Sequence, residues 1–475
     1  MTDSRQTRTG LMLSCALLAL FLAALEQTIL GPAMADIVAE LGGGPLLPWV
    51  ATAYLMAATA AAPILGALAD IHGRRRVLLS SVGLFIAGSV LGALADTLPV
   101  LVAARAVQGA GAGGLFALPF VVITDLVPPQ RRAIFAAGIS TIYAVASILG
   151  PLAGGGLVDA LHWSAVFWIN LPIGAVVVTG VLIAGPMGGK RHDRRVDLPG
   201  AALIVATSFA AVLALDRAAA GDVRDILQAL GLAVVAALCF AGFGRRMMRA
   251  PDPLVPLSVL TDRTILLVAL VLFCCQGANV GLALYLPLYW RTEYGMTATE
   301  SGLAVLGLLI GVIVGPYLSP RLLLRNPRYR PVMVAGAALA TAGAAGLTLA
   351  IALGASILVV EFASATLGFG IGILYPVVLL AVQNAARPET AGAAMGILAF
   401  MRAIGATLGV SAVGIAAIAT GIDGGTGAGW PTWTLFVPGL VMMALCLGAC
   451  LALPDRALSG YAVKKDAPAA PPAGE

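Results

Sequence analysis

Gly66-Ala67-Leu68-Ala69-Asp70-Ile71-His72-Gly73-Arg74-Arg75-Arg76 separates two apolar runs, 47–69 and 76–95. Each run reaches the roughly 20 residues that a helix needs to cross a bilayer. The stretch between them is too short for a domain and holds three consecutive arginines. Gly66 permits close helix packing. Asp70, at a helix end, can pair with the arginines or cap a neighbouring helix. Gly73 permits a tight turn. Two membrane-length helices joined by a short basic turn is therefore the local reading, and it extends along the chain.

Fourteen apolar runs occur, over 11–33, 47–69, 76–95, 99–124, 133–156, 165–185, 197–216, 225–243, 264–290, 300–319, 331–352, 355–382, 391–419 and 432–453. Composition agrees: 60% of residues are hydrophobic, 11% charged, and the mean hydropathy is +0.98. A soluble domain carries about a quarter charged residues. Glycine, at 57 residues, lets helix backbones approach closely in lipid. The first run is too long for a signal-peptide core and carries Glu26, so it reads as a mature helix.

Lysine and arginine set the orientation, because they accumulate on the cytoplasmic side. With the N-terminus in the cytoplasm, only Arg217, Arg224 and Arg291 of the 28 basic residues fall outside. Arg105 and Arg402 lie within runs, and all the others fall inside. Both termini are then cytoplasmic. Runs seven and eight read as spanning; without them the count is twelve and the parity is unchanged. The tail 457–475 reads as disordered.

The six cysteines sit in apolar runs without metal-ligand spacing, and the three histidines lie in loops. No metal and no cofactor is expected. The net charge of +5 is distributed over loops and points to the bilayer, not to nucleic acid. No long insertion and no Walker-type loop is present, so an ion or substrate gradient must supply the energy. A membrane enzyme would need a His/Asp cluster within the runs, and a channel would need filter-like loops; neither is seen.

Charged residues inside the runs are costly and mark function. At 1.5 Å per residue, Glu26 and Arg105 each lie ~10 Å below the outer ends of oppositely running helices, so the two can pair. Burial and an adjacent arginine act on a carboxylate in opposite directions, which suits a proton site. Glu361 is a second acid, a candidate for proton carriage or for a cationic substrate. Gln108, Gln276, Asn279, Gln383, Asn384 and Arg402 are candidate cavity residues, with helix–helix hydrogen bonding as the alternative. Asp70 and Asp125, at cytoplasmic ends, fit gating or capping.

Several motifs resemble those of the major facilitator superfamily. The opening stretch is similar to its Gly-x-Leu-x-Asp-Arg-x-Gly-Arg-Arg loop, with Ile71 where a basic residue is usual. Arg105-Ala106-Val107-Gln108-Gly109 resembles the fourth-helix motif linked there to proton coupling. Gly150-Pro151-Leu152-Ala153-Gly154-Gly155 resembles the Gly-Pro-x-x-Gly-Gly motif of its antiporters. Leu25-Glu26-Gln27-Thr28-Ile29 is similar to the Leu-Asp-x-Thr-Ile motif of fourteen-spanner drug:proton antiporters, with Glu26 replacing aspartate. Val166-Phe167-Trp168-Ile169-Asn170-Leu171-Pro172-Ile173-Gly174 is also typical. The C-terminal half matches mainly through Arg402-Ala403-Ile404-Gly405.

The resemblance implies an all-α polytopic membrane protein with two six-helix bundles (1–190 and 263–456) and two extra central helices within 191–262. It implies rocking of the bundles, with Gly66, Asp70, Gly73, Arg74, Arg75, Gly150, Pro151, Gly154 and Gly155 serving the conformational switch. The expected function is proton-driven export of hydrophobic or cationic small molecules across the inner membrane by a monomer, driven by the proton gradient. The alternatives are a dedicated exporter of one natural product or lipid, and a non-transporting sensor.

Overall fold

The computed structural model describes residues 2–43, 46–127, 132–185, 197–220, 223–249, 262–325, 328–385, 391–422 and 429–455. The tail 457–475 lies outside the described residues, as do the side chains of Asp70, Asp125 and Gln383.

The described chain is helical almost throughout. The first half holds α1 (Thr2–Leu41), α2 (Leu47–His72), α3 (Arg74–Ala93), α4 (Leu98–Leu126), α5 (Arg132–Ala160), α6 (Ala165–Trp168) and α7 (Asn170–Ala184). Next come α8 (Leu198–Ala220) and α9 (Val223–Arg249). The second half holds α10 (Arg263–Tyr294), α11 (Ala298–Ala304), α12 (Leu306–Val314), α13 (Ser319–Arg325), α14 (Tyr329–Ala352), α15 (Ile357–Ala385), α16 (Ala391–Thr420) and α17 (Val437–Leu451).

Among the described residues, twelve helical stretches are long and apolar enough to cross a membrane. Runs five and seven fall on α5 and α8, helices of 29 and 23 residues. Their described apolar parts, Val145–Ala160 and Val205–Ala214, are shorter than a span.

Local chemistry sets the helix ends. Gly73 closes α2 at φ 92°, a conformation that suits glycine, and α3 follows at once. Asp262 accepts the Thr264 N–H at 2.7 Å and starts α10, while Gly295 ends it in the left-handed region. Thr297 and Glu300 form a reciprocal capping box on α11. The tenth run is interrupted where Pro316, lacking an N–H, sits in a short 3-10 turn at Gly315–Tyr317.

One packing pattern occurs twice. In the first half α1 packs on α4, α5 and α7, and α3 on α4 and α7; in the second, α10 packs on α15, α16 and α17, and α14 on α15 and α17. Glycines set the closest approaches. Gly109 of α4 meets the Tyr54 carbonyl of α2, and Gly277 of α10 meets Gly409 of α16 backbone to backbone. The α8–α9 pair packs beside the two halves: α8 touches both α2 and α16, through Trp49–Phe209 among others, and Phe243 of α9 stacks on Phe400. Leu227, Leu230, Val234 and Leu238 of α9 face outward, as suits a helix bathed in lipid.

The halves meet along α1–α10, α2–α16 and α5–α11. The polar contacts described there cluster at the end opposite the arginine-rich loops. Arg291 of α10 pairs with Asp36 of α1 and donates to the Pro32 carbonyl. Asp159 of α5 accepts the Ala298 and Thr299 N–H groups at 2.9 and 2.7 Å, capping α11 from the other half. Thr52 and Ser411 hydroxyls lie 3.0 Å apart.

Candidate functional site

The deepest polar cluster is built around Glu26. Its Oε1 pairs with Arg105 Nη1, and its Oε2 accepts from Asn170 Nδ2 at 2.7 Å. Arg105 Nε donates to the Val50 carbonyl at 2.9 Å, and Nη1 also reaches Gln108 Oε1 at 2.5 Å. Gln108 Nε2 donates to Ser89 Oγ at 2.9 Å, and Asn170 Nδ2 donates to the same oxygen at 3.2 Å. The Tyr54 ring lies 4.3 Å from the guanidinium carbon, a cation–π contact. Glu26, Ser89, Arg105, Gln108 and Asn170 are all buried, none more than 1% exposed.

Five helices supply this cluster: α1 gives Glu26, α2 Tyr54 and the Val50 carbonyl, α3 Ser89, α4 Arg105 and Gln108, and α7 Asn170. The spacing Arg105 to Gln108 is one helical turn, which puts both on one face. An isolated charge here would be prohibitive, and the pair is tolerated because both partners are otherwise hydrogen-bonded. One acceptor is left over: Asn170 Oδ1 is buried with no partner among the described residues. An orphaned buried acceptor costs about 1–3 kcal/mol, so its retention calls for a role.

A second polar layer lies nearer the arginine-rich end, between the halves. Arg402 of α16 sits with its guanidinium carbon 5.0 Å from the Tyr143 ring centre of α5. Tyr375 of α15 donates to Gln276 Oε1 of α10 at 3.0 Å. Asn279, one turn along α10, neighbours Tyr375, and its Oδ1 has no partner among the described residues. Counted from the arginine-rich helix ends, Tyr143, Gln276, Tyr375 and Arg402 lie at comparable depth, ~15–20 Å in.

The structure distributes the sequence-derived candidates unevenly. Glu26 and Arg105 meet, as their depths suggest. Gln108, expected to line a cavity, is instead enclosed in the Glu26 cluster, its amide engaged by Arg105 and Ser89. Gln276, Asn279 and Arg402 come together in the second layer. Asn384 is half-buried near the end of α15, and the Gln383 side chain lies outside the described residues. Glu361 lies in the α12–α15 seam beside Gly307, next to the exposed Phe362. Fourteen residues separate it from Tyr375, ~21 Å along the helix, so it does not join the second layer.

The switch candidates divide similarly. Gly150 and Gly154 of α5 lie against Thr28 and Ile29 of α1. Gly155 meets the Ala298 carbonyl, and the Pro151 carbonyl meets Gly302, both across the seam between halves. Arg75 ties the α2–α3 turn to the Val181 and Leu182 carbonyls of α7, at 3.2 Å each, and Arg74 is buried. Gly66, expected at a close helix contact, has no described atom within 4 Å of where a Cβ would stand. Asp70 is on α2, with its side chain outside the described residues.

Sequence reasoning left Ser89, Asn170, Tyr54, Tyr143 and Tyr375 without roles, and also Asp36 and Asp159. Uncharged polar residues and aromatics are common in such helices and carry no signal alone. Arg291, one of only three basic residues on its side, was the available clue. Near it Glu40 accepts from Trp163 Nε1 and His162 Nε2, both at 2.7 Å. These residues and Asp36 line a cleft of about 440 Å³ at the arginine-poor end, remote from both polar layers.

Comparison with known proteins adds three findings. The family model described as Major Facilitator Superfamily matches residues 16–410. "Multidrug transporter protein MdtP" of Bacillus subtilis is 31% identical over 414 residues, covering 87% of this chain and 76% of that protein. "Multidrug resistance protein 3" of the same organism is 29% identical, covering 87% and 80%. Among solved structures, an auto-inhibited POT family peptide transporter superposes with a TM-score of 0.66 at 16% identity, covering 94% of this chain and 96% of that one. The xylose transporter XylE from E. coli superposes with 0.63 at 12% identity, covering 94% and 98%.

Proposed function

The chain belongs to the major facilitator superfamily, and from that premise we propose that it is a proton-coupled antiporter that exports amphipathic small molecules through the cytoplasmic membrane. Fourteen spans follow if α5 and α8 cross with the other twelve, and the arginine-rich loops then lie in the cytoplasm. The observation that carries the reading is the enclosed Glu26–Arg105 pair with its unpartnered Asn170 oxygen. The names of the two Bacillus subtilis relatives support a small-molecule cargo, and the α5 Gly-Pro-x-x-Gly-Gly stretch supports antiport.

Arg105 has other partners: the Val50 carbonyl, Gln108 and the Tyr54 ring remain to it when Glu26 is neutralised. A proton on Glu26 removes the charge pair. Asn170 can then turn its amide so that Oδ1 accepts from the carboxyl hydroxyl, exchanging the Nδ2 donations to Glu26 and Ser89 for that bond. The same atoms thus suit two protonation states. Glu26 and Asp36 lie ten residues apart on α1, ~15 Å along one continuous helix with Pro32 between them. A shift of α1 against α4 therefore reaches the Asp36–Arg291 contact that joins the halves. Loss of that contact is a step toward opening the arginine-poor end, the rocking motion by which such transporters alternate access.

The deciding measurement is flux in proteoliposomes under an imposed pH gradient, for the parent and Glu26→Gln. We expect Glu26→Gln to lose gradient-driven flux and to retain gradient-free exchange of cargo. Full gradient-driven flux in Glu26→Gln would remove Glu26 from coupling. Parent flux that ignores the gradient would remove antiport.

A further inference from the structure

We propose that the layer where the two halves meet around Arg402 holds a binding site for a small aromatic anion, with Arg402 receiving the anionic group. This rests on the export reading and specifies its cargo. It departs from the cationic cargo that Glu361 suggested from sequence, because Glu361 lies a membrane half-thickness away from the layer that joins the halves.

The charge inventory is the first reason. Of the charges described inside the helices, Glu26 and Arg105 neutralise each other. Among the described residues no carboxylate forms an ion pair with Arg402, whose electrostatic neighbours are Tyr143 and Tyr375. These give it ring face and hydroxyl oxygen, but no negative charge. The two arginines differ in access as well: Arg105 is sealed in, whereas Arg402 lies deep in the protein yet keeps part of its surface open. A partly open cation without a counter-charge, inside a membrane protein, is suited to an incoming anion.

The second reason is the shape of the surroundings. A guanidinium presents a planar fork that matches a carboxylate or sulfonate in two parallel hydrogen bonds. Tyr143, whose ring centre lies 5.0 Å from the guanidinium carbon, and Tyr375 supply aromatic neighbours for an aromatic body. The Asn279 oxygen, unpartnered and next to Tyr375, can accept from a hydroxyl or amide N–H on the ligand. Tyr143 belongs to one half and the other three residues to the other half. A ligand held here touches both moving bodies, which is where an alternating-access cargo must sit.

The test is binding to purified full-length protein in nanodiscs of zwitterionic lipid, by calorimetry, with 2-naphthoate, 2-naphthamide and 2-naphthylmethylammonium. The expected result is at least tenfold tighter binding of naphthoate than of the other two. Arg402→Gln should abolish that preference by weakening naphthoate far more than naphthamide, and Arg402→Lys should keep part of it. Should Arg402→Gln not fold, Asn279→Asp supplies the answer: a carboxylate in the same layer should weaken naphthoate at least tenfold and strengthen the ammonium. Equal or tighter binding of the ammonium by the parent overturns the proposal. So does naphthoate affinity indifferent to these variants, or no naphthoate binding. Arg402-dependent naphthoate binding without pH-driven flux would sink the export reading and leave the anion site standing. Flux of the ammonium regardless of Arg402 would do the reverse.

Discussion

Glu26 and Asn170 illustrate how little separates a structural ion pair from a proton site. Glu26→Leu leaves Arg105 buried without its counter-charge, at a cost of ~3–5 kcal/mol. Glu26→Gln keeps an amide oxygen that Arg105 can still reach. We therefore expect Glu26→Leu to lower the melting temperature of the purified protein clearly more than Glu26→Gln, and equal losses would argue that the pair contributes nothing. Asn170 gives a sharper test. If its orphan oxygen receives the Glu26 hydroxyl, Asn170→Leu removes that bond together with the Nδ2 donations to Glu26 and Ser89; the hydroxyl bond alone, ~1.4 kcal/mol, is about tenfold in rate. Gradient-driven flux should fall by roughly that factor, with gradient-free exchange preserved. The Glu26–Arg105 juxtaposition was legible in sequence because helix rise converts residue number into depth. Asn170 and Ser89 were not, because depth says nothing about which helices are neighbours.

At the scale of elements, α5 joins two jobs. Its Gly150 and Gly154 lie on α1, and its Gly155 lies on α11 of the other half. Two adjacent glycines there have opposite surroundings. A Cβ on Gly155 would stand 2.5 Å from the Ala298 carbonyl oxygen, whereas a Cβ on Gly156 would meet nothing within 4 Å. Gly155→Ala should strain the seam by ~1–3 kcal/mol, the usual cost of overpacking, and reduce flux. Gly156→Ala should leave both melting and flux unchanged. Equal effects would show that the α5–α11 contact does not limit function. The α8–α9 pair is another element whose place was hidden. Its sequence predicts two membrane helices, but only the fold shows that α8 lies against α2 and α16 together. Hydrophobicity is nearly uniform around α8, so its facing side cannot be read from pattern alone.

For the molecule as a whole, the contacts at the arginine-poor end hold the halves together in this conformation. Asp36–Arg291, the Asp159 cap on α11 and the Thr52–Ser411 hydroxyl pair are polar members of that set. Weakening them should bias the protein toward the state open at this end. Spin labels at Leu161 and Tyr294, both exposed and on opposite halves, provide the readout. In Asp36→Asn/Asp159→Asn, a bias of ~1–3 kcal/mol predicts a 5- to 150-fold rise in the longer-distance population relative to the parent. An unchanged distribution would show that apolar packing alone closes this end. Both carboxylates stand near helix ends, and their partners are 255 and 139 residues away in sequence.

The sequence by itself determined the class of protein, the positions of the helices, the depth of each charge and the family resemblance. These are properties of one chain against one solvent: apolar length, the charge bias of loops, and rise per residue. The tertiary structure decided the rest. It placed Gln108 in the Glu26 cluster, left Asn170 with a spare acceptor, set Glu361 apart in the α12–α15 seam, and brought to Arg402 tyrosines but, among the described residues, no carboxylate. Each of these depends on which helix faces which, and in a bilayer that is settled by close packing of small residues and by distant hydrogen-bond partners. The basic loop at Gly66–Arg76 announces the architecture, but the chemistry lies in side chains brought together from separate helices.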